Sequence, residues 1–148
     1  MCDRRPKILV VDDDDNMLHL LQSYLSQTDT PVTVVTAHDA SEANQVMQET
    51  PDIAGMLLDI NLANGTSGEE YATQLRERGE SIGIALMSGQ RVHTGKFRYL
   101  PKPLDREGLL GTVRDMVSIW SIRQDTAEMR GHVSLLLNTF KGAGYVPA

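Results

Sequence analysis

Four apolar runs in this sequence end in, or lead within a residue or two to, groups that can do chemistry. Lys7-Ile8-Leu9-Val10-Val11 runs into Asp12 and Asp13, and Met56-Leu57-Leu58 runs into Asp59. Ile82-Gly83-Ile84-Ala85-Leu86-Met87 ends at Ser88, and Phe97-Arg98-Tyr99-Leu100 leads within two residues to Lys102-Pro103. Short continuous apolar runs are the pattern of strands covered on both faces of a parallel sheet. Ligands bind at the carboxyl ends of such strands. Strands lying side by side would therefore bring three carboxylates, a hydroxyl and an ammonium to one edge, with Asp59 at the centre. Clustered carboxylates repel one another, and such a cluster is costly unless a cation neutralises it.

The elements that must position these groups read off in order. Met17, Leu18, Leu21 and Leu25 recur at helical spacing, which predicts a first helix over roughly 16–26, capped by Asp14 or Asp15. Pro31 to Ala37 reads as a second strand, and Asp39-Ala40-Ser41-Glu42 has capping-box spacing for a second helix that stops before Pro51. Ile53 to Leu58 is the third strand, and a turn-rich loop then feeds a third helix over about 69–78, ended by Gly79. This βαβαβα alternation predicts an α/β fold, a doubly wound parallel sheet with helices on both faces.

Composition bounds the class. The 148 residues, 41% hydrophobic and 23% charged, suit one globular domain with an appendage. No apolar run approaches a membrane span, and the basic N-terminus lacks the apolar stretch of a signal peptide. The single cysteine, Cys2, excludes an internal disulfide and suits a reducing compartment, so the expected address is cytoplasmic. Residues 1–103 hold nine Lys/Arg against fifteen Asp/Glu, and residues 104–148 hold five of each. Neither part has the basic stripe of a nucleic-acid binder, and no nucleic acid and no membrane are expected as partners.

With these residues assembled, the chain resembles a response-regulator receiver domain, the phosphoacceptor module of two-component signalling. The resemblance rests on Lys7 to Asp13, Leu57-Leu58-Asp59-Ile60-Asn61-Leu62, Met87-Ser88-Gly89 and Tyr99-Leu100-Pro101-Lys102-Pro103-Leu104, and covers about residues 6–120. It implies a flavodoxin-like five-stranded sheet of order 2-1-3-4-5. It also implies a phosphoprotein that is no enzyme beyond its own phosphorylation and dephosphorylation. By this resemblance Asp59 is the phosphoacceptor and Lys102 and Ser88 contact the phosphoryl oxygens. Asp13, Asp59 and the Asn61 backbone carbonyl would hold Mg²⁺, with Asp12 acting through water. Ser88 and Tyr99 would form the switch, and the Lys102–Pro103 peptide would be cis. The implied partners are a sensor histidine kinase or phosphotransfer protein and a downstream protein.

Two departures from the family pattern stand out. Ala63 replaces the usual proline in the loop after the third strand, and only thirteen residues separate Ser88 from Lys102. The segment 89–96 has one apolar residue and two glycines, too little for three stable helical turns. The helix that the family places before its fifth strand is therefore expected to be reduced or absent. Its basic residues Arg91, His93, Lys96 and Arg98 form either a solvated connector or a contact for an acidic partner.

The other end of the chain is longer than the family needs. Leu109, Leu110, Val113, Met116, Val117 and Trp120 form the packing stripe of the last receiver helix. Ile119, Ile122, Thr126, Met129, Val133, Leu136 and Phe140 then alternate at spacings of three and four, a heptad seam. The expected organisation is a receiver over 1–120, a helical extension over 121–141 and a tail over 142–148. One helix from 105 to 141 would pair in a homodimer or dock a partner, while Gly131 leaves a break and hairpin open. His132 flanks the seam and reads as a surface residue rather than a phosphodonor. A phosphorylation-independent interaction module on the same scaffold, and a hydrolase using Asp59, are the alternative functions.

Overall fold

The computed structural model describes residues 5–62, 65–89 and 95–142, with side chains of the last helix described as far as Ala127. Ala63, Asn64, Arg91 and His93, the His132 side chain and the tail beyond Gly142 lie outside the described residues. Five strands, β1 (Lys7–Val11), β2 (Thr33–Ala37), β3 (Ile53–Asp59), β4 (Gly83–Ser88) and β5 (Arg98–Pro101), form one parallel sheet of order β2-β1-β3-β4-β5. The helices are α1 (Asp15–Leu25), α2 (Ala40–Glu49), α3 (Gly68–Glu77) and α4 (Arg106–Gly142). Nine residues join β4 to β5, and the described ones among them, Gly89 and Gly95 to Phe97, carry no helix.

The continuous apolar runs of β1 and β3 are buried on both faces because each face has its own helical cover. Ile8, Val10, Leu57, Ala85 and Met87 pack with Leu18 and Leu21 of α1 and Leu109, Val113 and Met116 of α4. Leu9, Val11, Met56, Leu58 and Leu86 face the other way, against Ala43 of α2 and Tyr71, Ala72 and Leu75 of α3. Strand alternation thus splits one hydrophobic sequence between two core layers. Where α4 crosses the sheet most closely, side chains are excluded. A Cβ on Gly55 or Gly83 would meet the Met116 Cγ at 2.9 or 2.8 Å respectively.

Local chemistry sets the helix starts. Asp14 accepts from the Asn16 N–H, Asp39 from the Glu42 N–H and Ser67 from the Glu69 N–H, so each of the first three helices has a side-chain cap. In α2 the Glu42 carboxylate reaches back to the backbone N–H of His38 rather than of Asp39, 3.1 Å away. The His38 ring lies between Glu42 at 3.1 Å and Asp15 at 2.8 Å, joining the starts of α1 and α2. Gly79, at φ 87°, ends α3.

Helix α4 is 37 residues long and unbroken, so the hairpin at Gly131 does not form. At 1.5 Å per residue it spans about 55 Å. It starts at the site edge of the sheet and runs antiparallel to the strands. Asp115 holds Arg98 at 2.6 Å, and the Arg123 guanidinium donates to the Ser81 carbonyl just ahead of β4.

Two outcomes test this architecture. Leu57→Ala, which empties a fully buried position in the central strand, should cost about 2–5 kcal/mol in urea unfolding. The two carboxylates hold the His38 imidazolium, so its NMR titration midpoint should lie above 6.5 and fall back in Asp15→Asn. The accompanying small stabilisation is present on the acid side and is lost as pH rises through the folded-state pKa.

Candidate functional site

The carboxyl ends of β1, β3 and β4 and the turn after β5 meet at one edge, and each loop is tied to its neighbour by backbone hydrogen bonds. The Asp12 N–H donates to the Ala37 carbonyl at 3.0 Å, and the Ile60 N–H to the Met87 carbonyl at 3.0 Å. The Lys102 N–H donates to the Ser88 carbonyl at 2.8 Å, and the Lys102–Pro103 peptide is cis. These bonds place Lys102 over the end of β4 before its side chain makes any contact.

Asp12, Asp13 and Asp59 each present a carboxylate oxygen within 4.8 Å of the other two. Asp12 and Asp59 are buried, at 1% and 6% exposure, whereas Asp13 faces solvent. The Lys102 ammonium lies 3.3 Å from Asp59 Oδ2 and 3.8 Å from Asp12 Oδ2. One oxygen of each buried carboxylate is satisfied locally: Asp12 Oδ1 by the Asp14 N–H at 2.9 Å, and Asp59 Oδ1 by the Asn61 N–H at 3.1 Å. Asp12 Oδ2 is buried and accepts no hydrogen bond.

That orphaned oxygen has a measurable consequence. Burial, helped by the Asp59 carboxylate, pushes the Asp12 carboxyl up to about 6, against the opposing pull of the Asp14 N–H and Lys102. Removing a charge from water costs free energy unless another charge compensates it. Three carboxylates facing one ammonium leave the pocket short of positive charge. The donor set, oxygens only with one lacking a partner, fits a hard divalent cation.

The remaining expected site residues are placed as follows. Ser88 ends β4 at 2% exposure, and its carbonyl accepts the Lys102 N–H. Asn61 follows Asp59 by two residues and forms an isolated bridge with Ser67. Tyr99 is half-buried on β5, with its hydroxyl donating to Glu69 Oε2 on α3 at 3.4 Å.

Sequence reasoning passed over two residues that shape this edge. The Gly68 N–H donates to the Ile60 carbonyl at 2.7 Å, and a Cβ there would strike the backbone carbonyl oxygen of Asp59. Gly68 is thus required for α3 to start against the backbone that follows β3. Its signal was a glycine directly after the Ser67 cap. Glu69 has no comparable signal, because its Tyr99 contact joins positions 30 residues apart.

Comparison with known proteins fits this geometry. A family model described as the response regulator receiver domain matches residues 8–114. The transcriptional regulatory protein AruR of Pseudomonas aeruginosa is 31% identical over 124 residues, 76% of this chain and 49% of that protein. The response regulator MprA of Mycobacterium ulcerans is 32% identical over 130 residues, 82% of this chain and 54% of that protein. The chain thus spans about half the length of the curated relatives it matches. Among solved structures, the signal receiver domain of an HD domain-containing protein from Pseudomonas fluorescens Pf-5 superposes with a TM-score of 0.71 at 25% identity, covering 84% of this chain and 96% of that one. The chemotaxis response regulator CheY4 of Vibrio cholerae shares the fold at a TM-score of 0.65 and 23% identity, covering 76% of this chain and 98% of that one. With the sheet order, the acid cluster and the family match in agreement, this chain belongs to the response regulator receiver domain family.

Proposed function

We propose that this receiver accepts a phosphoryl group on Asp59 from a histidine kinase or phosphotransfer protein and signals through protein contact. The observation that carries the reading is the placement of Lys102, 3.3 Å from Asp59 and 3.8 Å from Asp12, over a buried carboxylate pair. A carboxylate oxygen of Asp59 attacks phosphorus, the P–O bond to Asp59 forms, and the P–N bond to the donor imidazole breaks. The donor histidine leaves with the bonding pair and is neutral after taking a proton. Lys102 holds one phosphoryl oxygen as a point charge, and the Ser88 hydroxyl donates to another.

Asp13, Asp59 and the Asn61 carbonyl would hold Mg²⁺, with Asp12 reaching it through water. When bound, that ion offsets the charge gathering on the phosphoryl oxygens. Tyr99 is the element of the switch nearest the protein's edge, and its Glu69 contact links it to α3. In this reading the receiver spans 1–120 and the extension 121–141, followed by a tail. The downstream partner is a protein, and a second copy of the chain joins through α4. The AruR, MprA and CheY4 names support the signalling class, and the two regulators are matched over about half their lengths.

Acetyl phosphate with Mg²⁺ should add one phosphoryl mass to the wild type and none to Asp59→Asn. Lys102→Ala should slow labelling by at least tenfold while keeping the fold. A folded protein that takes no adduct would sink this reading and leave a phosphorylation-independent interaction module.

Asp12→Asn tests the electrostatics separately. It removes the charge from a buried carboxylate whose Oδ2 accepts no hydrogen bond, so the metal-free protein should gain on the order of 1–3 kcal/mol. The same change should remove most of the rise in melting temperature that Mg²⁺ gives the wild type. A destabilised metal-free variant would contradict the charge imbalance assigned to this pocket.

A further inference from the structure

Helix α4 carries two apolar stripes on different faces. Leu109, Val113 and Met116 are buried at 0, 0 and 5% exposure, and Trp120 packs against the same core. Ile119 and Ile122 stand at 48% and 64% exposure, two of the three exposed large hydrophobic residues described. At ~100° per residue the two stripes diverge by roughly a third of a turn, so the second is left largely uncovered by the domain's own core.

The exposed stripe begins where the helix leaves the body. Arg123 makes the last described contact, to the Ser81 carbonyl, and the helix continues unbroken to Gly142. In sequence the stripe continues through Thr126, Met129, Val133, Leu136 and Phe140, which are alternate a and d positions over three heptads. Gly131 falls at an f position, the one farthest from the seam, where a missing side chain costs a pair nothing in packing.

Charge decides what covers it. With Ile119 at position a, Asp125 falls at g and Arg123 and Arg130 at e. In a parallel in-register pair, g of one helix faces the following e of the other, so Asp125 meets Arg130. In an antiparallel pair e faces e, which sets arginine against arginine. The 3.5-residue period calls for a coiled-coil partner, and this complementarity selects a second copy of the same helix.

The polarity of α4 sets where pairing occurs relative to the site. The helix starts three residues after Pro103 at the carboxylate edge and crosses Gly55 and Gly83 at the starts of β3 and β4. It leaves the sheet at the opposite edge. We infer that the chain forms a parallel two-stranded coiled coil through Ile119 to Phe140 in its resting, unphosphorylated state, with both carboxylate pockets uncovered and pointing away from the stalk. This deepens the second-copy contact proposed above and is independent of phosphoacceptance by Asp59.

Three measurements on the full chain test it. Sedimentation equilibrium of unphosphorylated protein at tens of micromolar should give twice the 16.4 kDa chain mass. Thr126→Cys in a Cys2→Ser background should form a disulfide-linked dimer on mild oxidation, because a positions meet only in the parallel register. Ile119→Glu with Ile122→Glu should give a monomer with an unchanged near-ultraviolet circular dichroism spectrum and undiminished acetyl phosphate labelling. A monomeric resting wild type, a dimer that fails to cross-link at position 126, or a double variant that stays dimeric would each overturn the inference. Failure of labelling in every variant of a cross-linked dimer would reject the phosphoacceptor reading and leave this one standing.

Discussion

The structure depends on one electrostatic imbalance, the burial of Asp12 and Asp59 side by side with Lys102 as the nearest described cation. Like charges out of water are tolerated only when something compensates them. One oxygen of each acid takes a backbone N–H, and the lysine covers Asp59 more closely than Asp12. What is left over is one oxygen of Asp12 that accepts no hydrogen bond and has only the more distant lysine as its counter-charge. The same arrangement that costs the pocket stability gives it a set of oxygen donors that suits a hard cation. Stability is traded for readiness at this edge, a pattern common where binding sites meet a packed core.

The rest of the fold can be understood as what keeps those charges in place. The sheet supplies rigidity because its central strands are covered on both sides. Backbone bonds from Ile60 to Met87 and from Lys102 to Ser88 lock each reactive loop to the strand beside it. Gly68 lets α3 begin in contact with the Asp59 backbone. Glu69, the next residue, holds Tyr99 on the edge strand. In this chain β5 is therefore connected to the site through α3.

Much of this was legible in the sequence because the signals were local. Apolar runs ending in Asp12, Asp59 and Ser88 gave the strands and their reactive ends, and capping residues gave the helix starts to within a residue or two. The continuous last helix was legible from a long stretch without proline. What the sequence could not convey was relational. That Asp39 and His38 would divide the Glu42 interaction differently from an ordinary capping box depends on Asp15, 23 residues before His38. That Gly55 and Gly83 make room for Met116 depends on how α4 crosses the sheet, which no local pattern encodes. The Tyr99–Glu69 contact is of the same kind.

The length of α4 has a mechanical consequence. Beyond Arg123 the helix continues for roughly 19 residues, or about 28 Å, as a stiff lever fastened to the body at its base. A tilt of about 10° at that base would carry the far end through roughly 5 Å, about one helical turn. A shift of about 2 Å over the ~10 Å between Met116 and Arg123 would produce such a tilt, so the arm enlarges a movement at its base between two- and threefold. A short final helix would confine the same motion to the domain that produced it.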